Sequence, residues 1–204
     1  MTTIEFTDEL VFGETKIDAI TVAPLRFVAL AMLWERTASL TRGSDSSSKA
    51  IMQRERIKHQ VSFMAKGKRV NPDAGNITQL PITVAKKILP ALDIGEGVAG
   101  ELLNDGDGMN TPMHYKLGTP IVMKQNGTET TISELEFKAE IYGDIEDVLA
   151  TDGDVPQALA LIRKVAMPVG TSISLKTLPG WAVDQITTAD GVTILNTVLP
   201  RFLE

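Results

Sequence analysis

One break in the pattern constrains everything on either side of it. Residues 104–112, NDGDGMNTP, hold two Asp-Gly steps and a proline within nine positions. Asp and Gly favour turns, and proline removes a backbone donor. The stretch reads as a linker. It divides a 204-residue chain into two parts of about 100 residues, a size that can hold its own small core. The expectation is an α+β protein of two tandem small domains, residues 1–103 and 113–204, joined by 104–112.

Both parts carry the same order of signals. In the first, Ile4 and Phe6 alternate with polar residues, and Ile17 to Val22 gives a second run, so a β-hairpin is expected with a turn near Gly13. Pro24 suits the first turn of a helix. Phe27, Leu30, Ala31, Trp34 and Ala38 then recur at helical spacing, with Trp34 expected in the core. Ser-rich residues 41–49 read as a loop. A second helix is expected over 50–64, burying Ile51, Ile57, Val61 and Met64, and GKRVNPDAGN as a turn. A third helix follows over 82–92.

In the second part, Asn126-Gly127 lies between two alternating runs. Asn-Gly supplies the positive φ values of a type I′ turn, which makes this the strongest hairpin signal in the chain. Short helices are expected over 144–149 and 155–166. Ser174 to Leu178 leads to a turn at Pro179-Gly180. A last helix is expected over 187–202.

Short stretches match between the parts in one order. Ile17–Val22 aligns with Ile132–Phe137, and Met64–Gly67 with Met167–Gly170. Gly75–Thr78 aligns with Asp184–Thr187, and Ile88–Pro90 with Val198–Pro200. Conserved order makes a tandem duplication the expected origin. Each copy is then a β-hairpin packed against several short helices.

The residue inventory removes most chemistries. Cysteine is absent, so no disulfide, thiolate zinc site or cysteine nucleophile exists. The only histidines, His59 and His114, are far apart, which disfavours a His-based metal cluster. There is no G-x-S-x-G elbow and no phosphate-binding G-x-x-x-x-G-K-[ST], and the one G-x-G-x-x-G spacing, at 95–100, follows the expected helix 82–92 where a dinucleotide fingerprint needs a strand. Asp152-Gly153-Asp154 lacks the spacing and twelfth-position Glu of a calcium loop. Aromatic residues make up only 5%, too few to line the sugar cleft that paired carboxylates would need. The expectation is a protein without catalytic residue, cofactor or metal. MTTIEFTDEL has no basic-then-apolar signal pattern, and the apolar run near Val22–Trp34 is too short to span a bilayer. A cytoplasmic protein without membrane contact is expected.

Charge is distributed unevenly. Residues 49–69 hold seven cations against Glu55 alone. Residues 1–105 carry 13 basic and 13 acidic side chains, and residues 106–204 carry 7 and 13. The basic stretch reads either as a solvated face or as a contact for an acidic partner, including the acidic half of another copy. Nucleic acid is disfavoured because no aromatics interleave with the cations. Arg54, Arg56, Lys58, Lys66, Lys68 and Arg69 are the candidate partner-binding residues. Trp181, after Pro179-Gly180, is a candidate interface anchor. Met32, Met52, Met64 and Met167 fall at helix positions and read as core filling or as an adaptable groove. The run of Glu134, Glu136, Glu140, Asp144, Glu146, Asp147, Asp152 and Asp154 reads as solvated strand edge and helix N-terminus.

The second part resembles the tail assembly chaperones of tailed bacteriophages. The features that carry the resemblance are Ile121–Met123, Gly127, the Thr-rich to acidic run Thr130–Phe137, Gly143-Asp144, Leu159–Val165 and the final apolar segment Asp190–Leu203. It covers roughly residues 113–204. A weaker copy covers 3–92 and lacks the Gly-Asp step. The resemblance implies binding without catalysis. The partner would be another phage tail protein, the tape measure or tail tube, met in the host cytoplasm during assembly through helix-in-groove recognition. The family is usually one small domain. A tandem pair leaves open a structural role in the virion, at the tail, tail junction or baseplate, and self-association.

Overall fold

Two alternating runs pair in each half of the chain, and helices cover one face of each sheet. The computed structural model describes residues 1–204 except 8, 43–47, 93–96, 126–127, 171–175 and 204, with the side chains of 74, 123–125 and 128 also outside the described set. The chain divides into two units. One comprises Met1–Leu25 and Leu33–Gly95, the other Arg26–Met32 and Glu96–Glu204. The fold is mixed α+β.

Unit 1 contains β1 (Thr2–Ile4), β2 (Leu10–Phe12), β3 (Thr15–Ile17), β4 (Ala19–Val22) and the end of α1 (Phe27–Thr41). After these come α2 (Ser48–Gln60), β5 (Val61–Ala65), β6 (Lys68–Val70), α3 (Ala74–Thr78) and α4 (Ile82–Leu92). The main sheet has the order β1-β4-β5-β6, all antiparallel, and β2 and β3 form a separate ladder. Thus 2–4 and 19–22 do pair, but a second hairpin turning at Gly13 (φ 62°) is inserted between them. Ile4, Ile20, Val22, Val61 and Phe63 share the buried face. Phe12 packs edge-on against Phe63 with centroids 4.9 Å apart. Full burial of each large apolar side chain is worth about 1.5–3 kcal/mol.

Two of the elements expected in this unit differ, and Met64, expected to be buried, is only partly so. The second helix stops at Gln60, and Val61–Ala65 is a strand. Val61 and Phe63 alternate with Ser62, and β-branched and aromatic residues at period two pair better on β4 than they would extend a helix. GKRVNPDAGN is more than a turn. Lys66 (φ 49°) and Gly67 (φ 75°) form a two-residue reversal with the signs of a type I′ turn, followed by β6. Asp73 then caps α3 by accepting the Asn76 N–H at 2.6 Å.

Unit 2 contains the start of α1, then β7 (Glu101–Leu102), β8 (Met113–Gln125), β9 (Thr128–Phe137), α5 (Tyr142–Leu149) and α6 (Asp154–Val165). The chain continues through β10 (Ala166–Pro168), α7 (Gly180–Val183), α8 (Thr188–Thr197) and α9 (Leu199–Leu203). Its sheet has the order β10-β9-β8-β7. The long β8–β9 ladder slips once, between Lys116 and Ile121, and closes at Gln125↔Thr128. The Asn126-Gly127 turn itself lies outside the described residues, as do 174 and 175, and residues 176–178 carry no regular element. The final helix breaks in two at Val198.

Residues 104–112 are not a free linker; they belong to unit 2. Asp107 accepts the backbone N–H groups of Met109, Asn110 and Thr111 at 2.8–3.0 Å. Gly108 (φ 74°) donates to Thr111 and accepts from Ala139. The same Asp-Gly chemistry that suggested a flexible break here builds an ordered turn. The Thr111 N–H above all, then the Asn110 amide, hold the Asp107 carboxyl well below its ordinary 3.8. A depressed carboxyl adds stability above that value and loses it as pH falls below. The expected result is that the thermal midpoint of wild type exceeds that of D107A at pH 7, with the gap narrowing between pH 4 and 3. A gap independent of pH would contradict the carboxylate's role.

Along the chain, each half brackets a helix pair with paired strands. β4 and β5 flank α1–α2, and β9 and β10 flank α5–α6. Val22 sits opposite Val61, as Phe137 sits opposite Ala166. Aligning Ile17–Val22 with Ile132–Phe137 therefore matches Ser62 to Met167. The Met64–Met167 match is displaced by two positions, the extra length of the β5 hairpin before its positive-φ glycine.

Candidate functional site

The basic stretch of unit 1 separates into two sets. Arg56 and Lys58 are part of the fold. Arg56 donates to the Leu92 carbonyl and, at 3.1 Å, to Gln60 Oε1. Lys58 donates to Glu55 Oε1 at 2.7 Å. Glu55 is buried, and its other oxygen lies 2.8 Å from Arg36 Nε. A buried carboxylate held by two cations ties α2 to the end of α1. These three cations compensate Glu55 or cap a carbonyl, and they are committed inside the unit.

Lys66, Lys68 and Arg69 form the second set. All three side chains are exposed on the β5–β6 hairpin. Their side chains make no hydrogen bond or ion pair among the described residues; Lys68 and Arg69 are held by their backbones in the β5–β6 ladder, and the Lys66 backbone N–H donates to Asp18 at 2.6 Å. Arg54, half-buried on α2, is likewise unpaired among the described residues. β6 is the edge of its sheet. Cations on an edge strand discourage strand-to-strand aggregation, and they also present a positive strip to an acidic surface.

Trp181 belongs to unit 2, on the short helix α7, and is 42% exposed. Much of the acidic run of unit 2 has structural partners. Glu134 and Glu136 of β9 flank His114 of β8, at 2.7 and 3.6 Å from its ring nitrogens. Asp144 accepts the N–H groups of Glu140 and Ile141 at the start of α5. Asp147 pairs with Lys164 across α5 and α6. Among the described residues no group of three or more His, Cys, Asp and Glu is placed to hold a metal ion. No helix among them is long and apolar enough to cross a membrane.

A cleft of about 530 Å³ opens between α1 and α2 of unit 1. Trp34, Thr37, Ala38 and Thr41 line it from α1, at spacings of three, four and seven residues. Ser48, Lys49 and Met52 line it from α2, with Arg42 just past the end of α1. Trp34, expected in the core, is 41% exposed and forms a wall of this cleft. The buried stripe of α1 runs instead through Phe27, Ala31, Leu33 and Thr37. The helical spacing of Trp34 and Ala38 was visible in the sequence, but spacing alone does not say which stripe finds a neighbour.

No family model, curated protein or solved structure matches the chain.

Proposed function

We propose that the chain is a non-catalytic bacteriophage tail morphogenesis protein of the assembly-chaperone kind, which binds another tail protein during assembly. The observation that carries the reading is the unpaired, exposed strip Lys66, Lys68 and Arg69 on the edge hairpin of unit 1. Such a strip suits an acidic protein surface and steers the encounter. The strand, helix-pair, strand order shared by the two halves of the chain supports a tandem origin. Two linked modules raise the effective concentration of the second contact.

The test is quantitative mass spectrometry of purified phage particles and of infected-cell lysate. A chaperone is abundant in lysate and absent from particles. A fixed copy number in particles, in multiples of three or six, would instead make the chain a structural part of the tail, tail junction or baseplate. Charge reversal, K66E/K68E/R69E, is expected to weaken co-purification with the tail partner at least tenfold and to flatten its salt dependence. The thermal midpoint should hardly move, because no bond inside the unit is lost. Unchanged co-purification would remove the strip from the interface.

A further inference from the structure

The α1–α2 cleft has a polarity of its own. Its cations stand where α1 ends and α2 begins, at Arg42 and Lys49. Its apolar walls lie further along each helix, at Met52 about one turn from Lys49 and at Ala38 and Trp34 one and two turns from Arg42. The lining holds no carboxylate among the described residues. Neither Arg42 nor Lys49 makes an ion pair among them. The threonine hydroxyls are already spent as donors. Thr37 donates to Met52 Sδ at 3.6 Å, and Thr41 to the Thr37 carbonyl at 2.8 Å. That leaves the Arg42 guanidinium, just past the end of α1, and the Ser48 hydroxyl and Lys49 ammonium, on the first turn of the 13-residue α2 whose dipole also favours an anion there, to meet a ligand.

We propose that this cleft binds a small amphiphile with one acidic head and an apolar body, of the alkyl carboxylate class. The head sits between Arg42 and Lys49, and the chain lies against Ala38, Met52 and the face of Trp34. The volume is in the range of sites that enclose a small ligand. Charge complementarity selects an anion, and the segregation of charge from the apolar walls selects an amphiphile over a simple ion. Methionine and tryptophan walls accept a flexible chain without demanding one shape.

The experiment uses the full chain carrying W181F, which leaves Trp34 as the only tryptophan of two. Sodium dodecanoate is titrated below its micelle concentration while Trp34 emission is followed. The expected result is a saturable 1:1 change, with little response to dodecanol or to dodecyltrimethylammonium. R42Q/K49Q is expected to weaken dodecanoate at least tenfold with an unchanged circular dichroism spectrum. Equal binding of the cationic or neutral amphiphile would overturn the proposal, as would equal affinity in R42Q/K49Q. A Trp34 signal that ignores dodecanoate but responds to a co-purified protein would assign the cleft to a protein partner and overturn it too.

Discussion

Replacing Asp190 by alanine is expected to cost about 3–5 kcal/mol, a large share of the roughly 5–15 kcal/mol that holds a domain folded. Asp190 is fully buried on α8. Its carboxylate accepts the Tyr115 hydroxyl at 3.0 Å, the Gly118 N–H at 2.9 Å, the Thr187 hydroxyl at 2.9 Å and the Thr119 N–H at 3.4 Å. Thr187 in turn caps α8 by accepting the Asp190 N–H. One side chain therefore satisfies the irregular part of β8, between Lys116 and Ile121, where the ladder slips. Alanine would remove the acceptor of four donors, of which the Tyr115 and Thr187 hydroxyls are on buried residues, and each buried donor left unsatisfied costs about 1–3 kcal/mol before relaxation.

Asparagine separates charge from shape. Its amide oxygen keeps part of the acceptor capacity, but its NH₂ group faces donors. D190N should fall between wild type and D190A in calorimetry or urea unfolding. A D190N stability within about 0.5 kcal/mol of wild type would show that the charge contributes little. Tyr115 offers a second readout. Burial first, then the Asp190 charge, raise its hydroxyl pKa well above the ordinary 10.0. A raised phenol adds stability that is complete below pH 10 and lost as pH climbs above it. The alkaline decline should flatten in Y115F. Close packing leaves no slack around this knot, since a Cβ at Gly100 would meet the Lys116 carbonyl at 2.1 Å and the Tyr115 hydroxyl at 2.6 Å.

This knot was invisible in the sequence, and the reason is general. Asp190 follows Thr187 by three positions, which signals a helix start. Nothing local says that its carboxylate turns inward to Gly118, 72 residues away. Elements with a strong period were legible, including α4, α5, α6 and the paired runs of β8 and β9. The failures cluster where one stretch carries two signals. Val61–Ala65 follows a helix without a breaker, so its strand depends on β4 being present to pair with it. NDGDG favours turns whether the turn is free or, as here, closed on the Asp107 carboxylate. The basic run 49–69 was legible as charge, but its division into committed Arg56 and Lys58 and unpaired Lys66, Lys68 and Arg69 depends on which side chains reach Glu55 and Leu92.

The second large effect concerns Phe27 and Gly191, which lie 164 positions apart and touch. Phe27 opens α1, is fully buried and belongs to unit 2, where its backbone N–H reaches the Ile186 carbonyl at 3.4 Å. A Cβ at Gly191 would lie 2.1–2.6 Å from three atoms of the Phe27 ring. F27A is expected to cost about 3–5 kcal/mol, the lost transfer of a phenyl ring plus the cavity left behind. G191A faces two opposed terms. Alanine in a helix is better than glycine by about 1 kcal/mol. Overpacking against a ring that cannot leave its core costs about 1–3 kcal/mol. The clash should win in the wild-type background, making G191A destabilising. Once the ring is gone, only the helix term and some refilling of the cavity remain, so G191A should stabilise F27A by about 1 kcal/mol. The double-mutant cycle thus reverses sign, with a coupling inside the 0.5–3 kcal/mol expected of residues in contact. If G191A shifts the urea midpoint in the same direction in both backgrounds, the two side chains do not share that space. The start of α1 would then owe its place in the unit to its backbone bond and to Arg26, which donates to the Asp184 carbonyl at 3.1 Å.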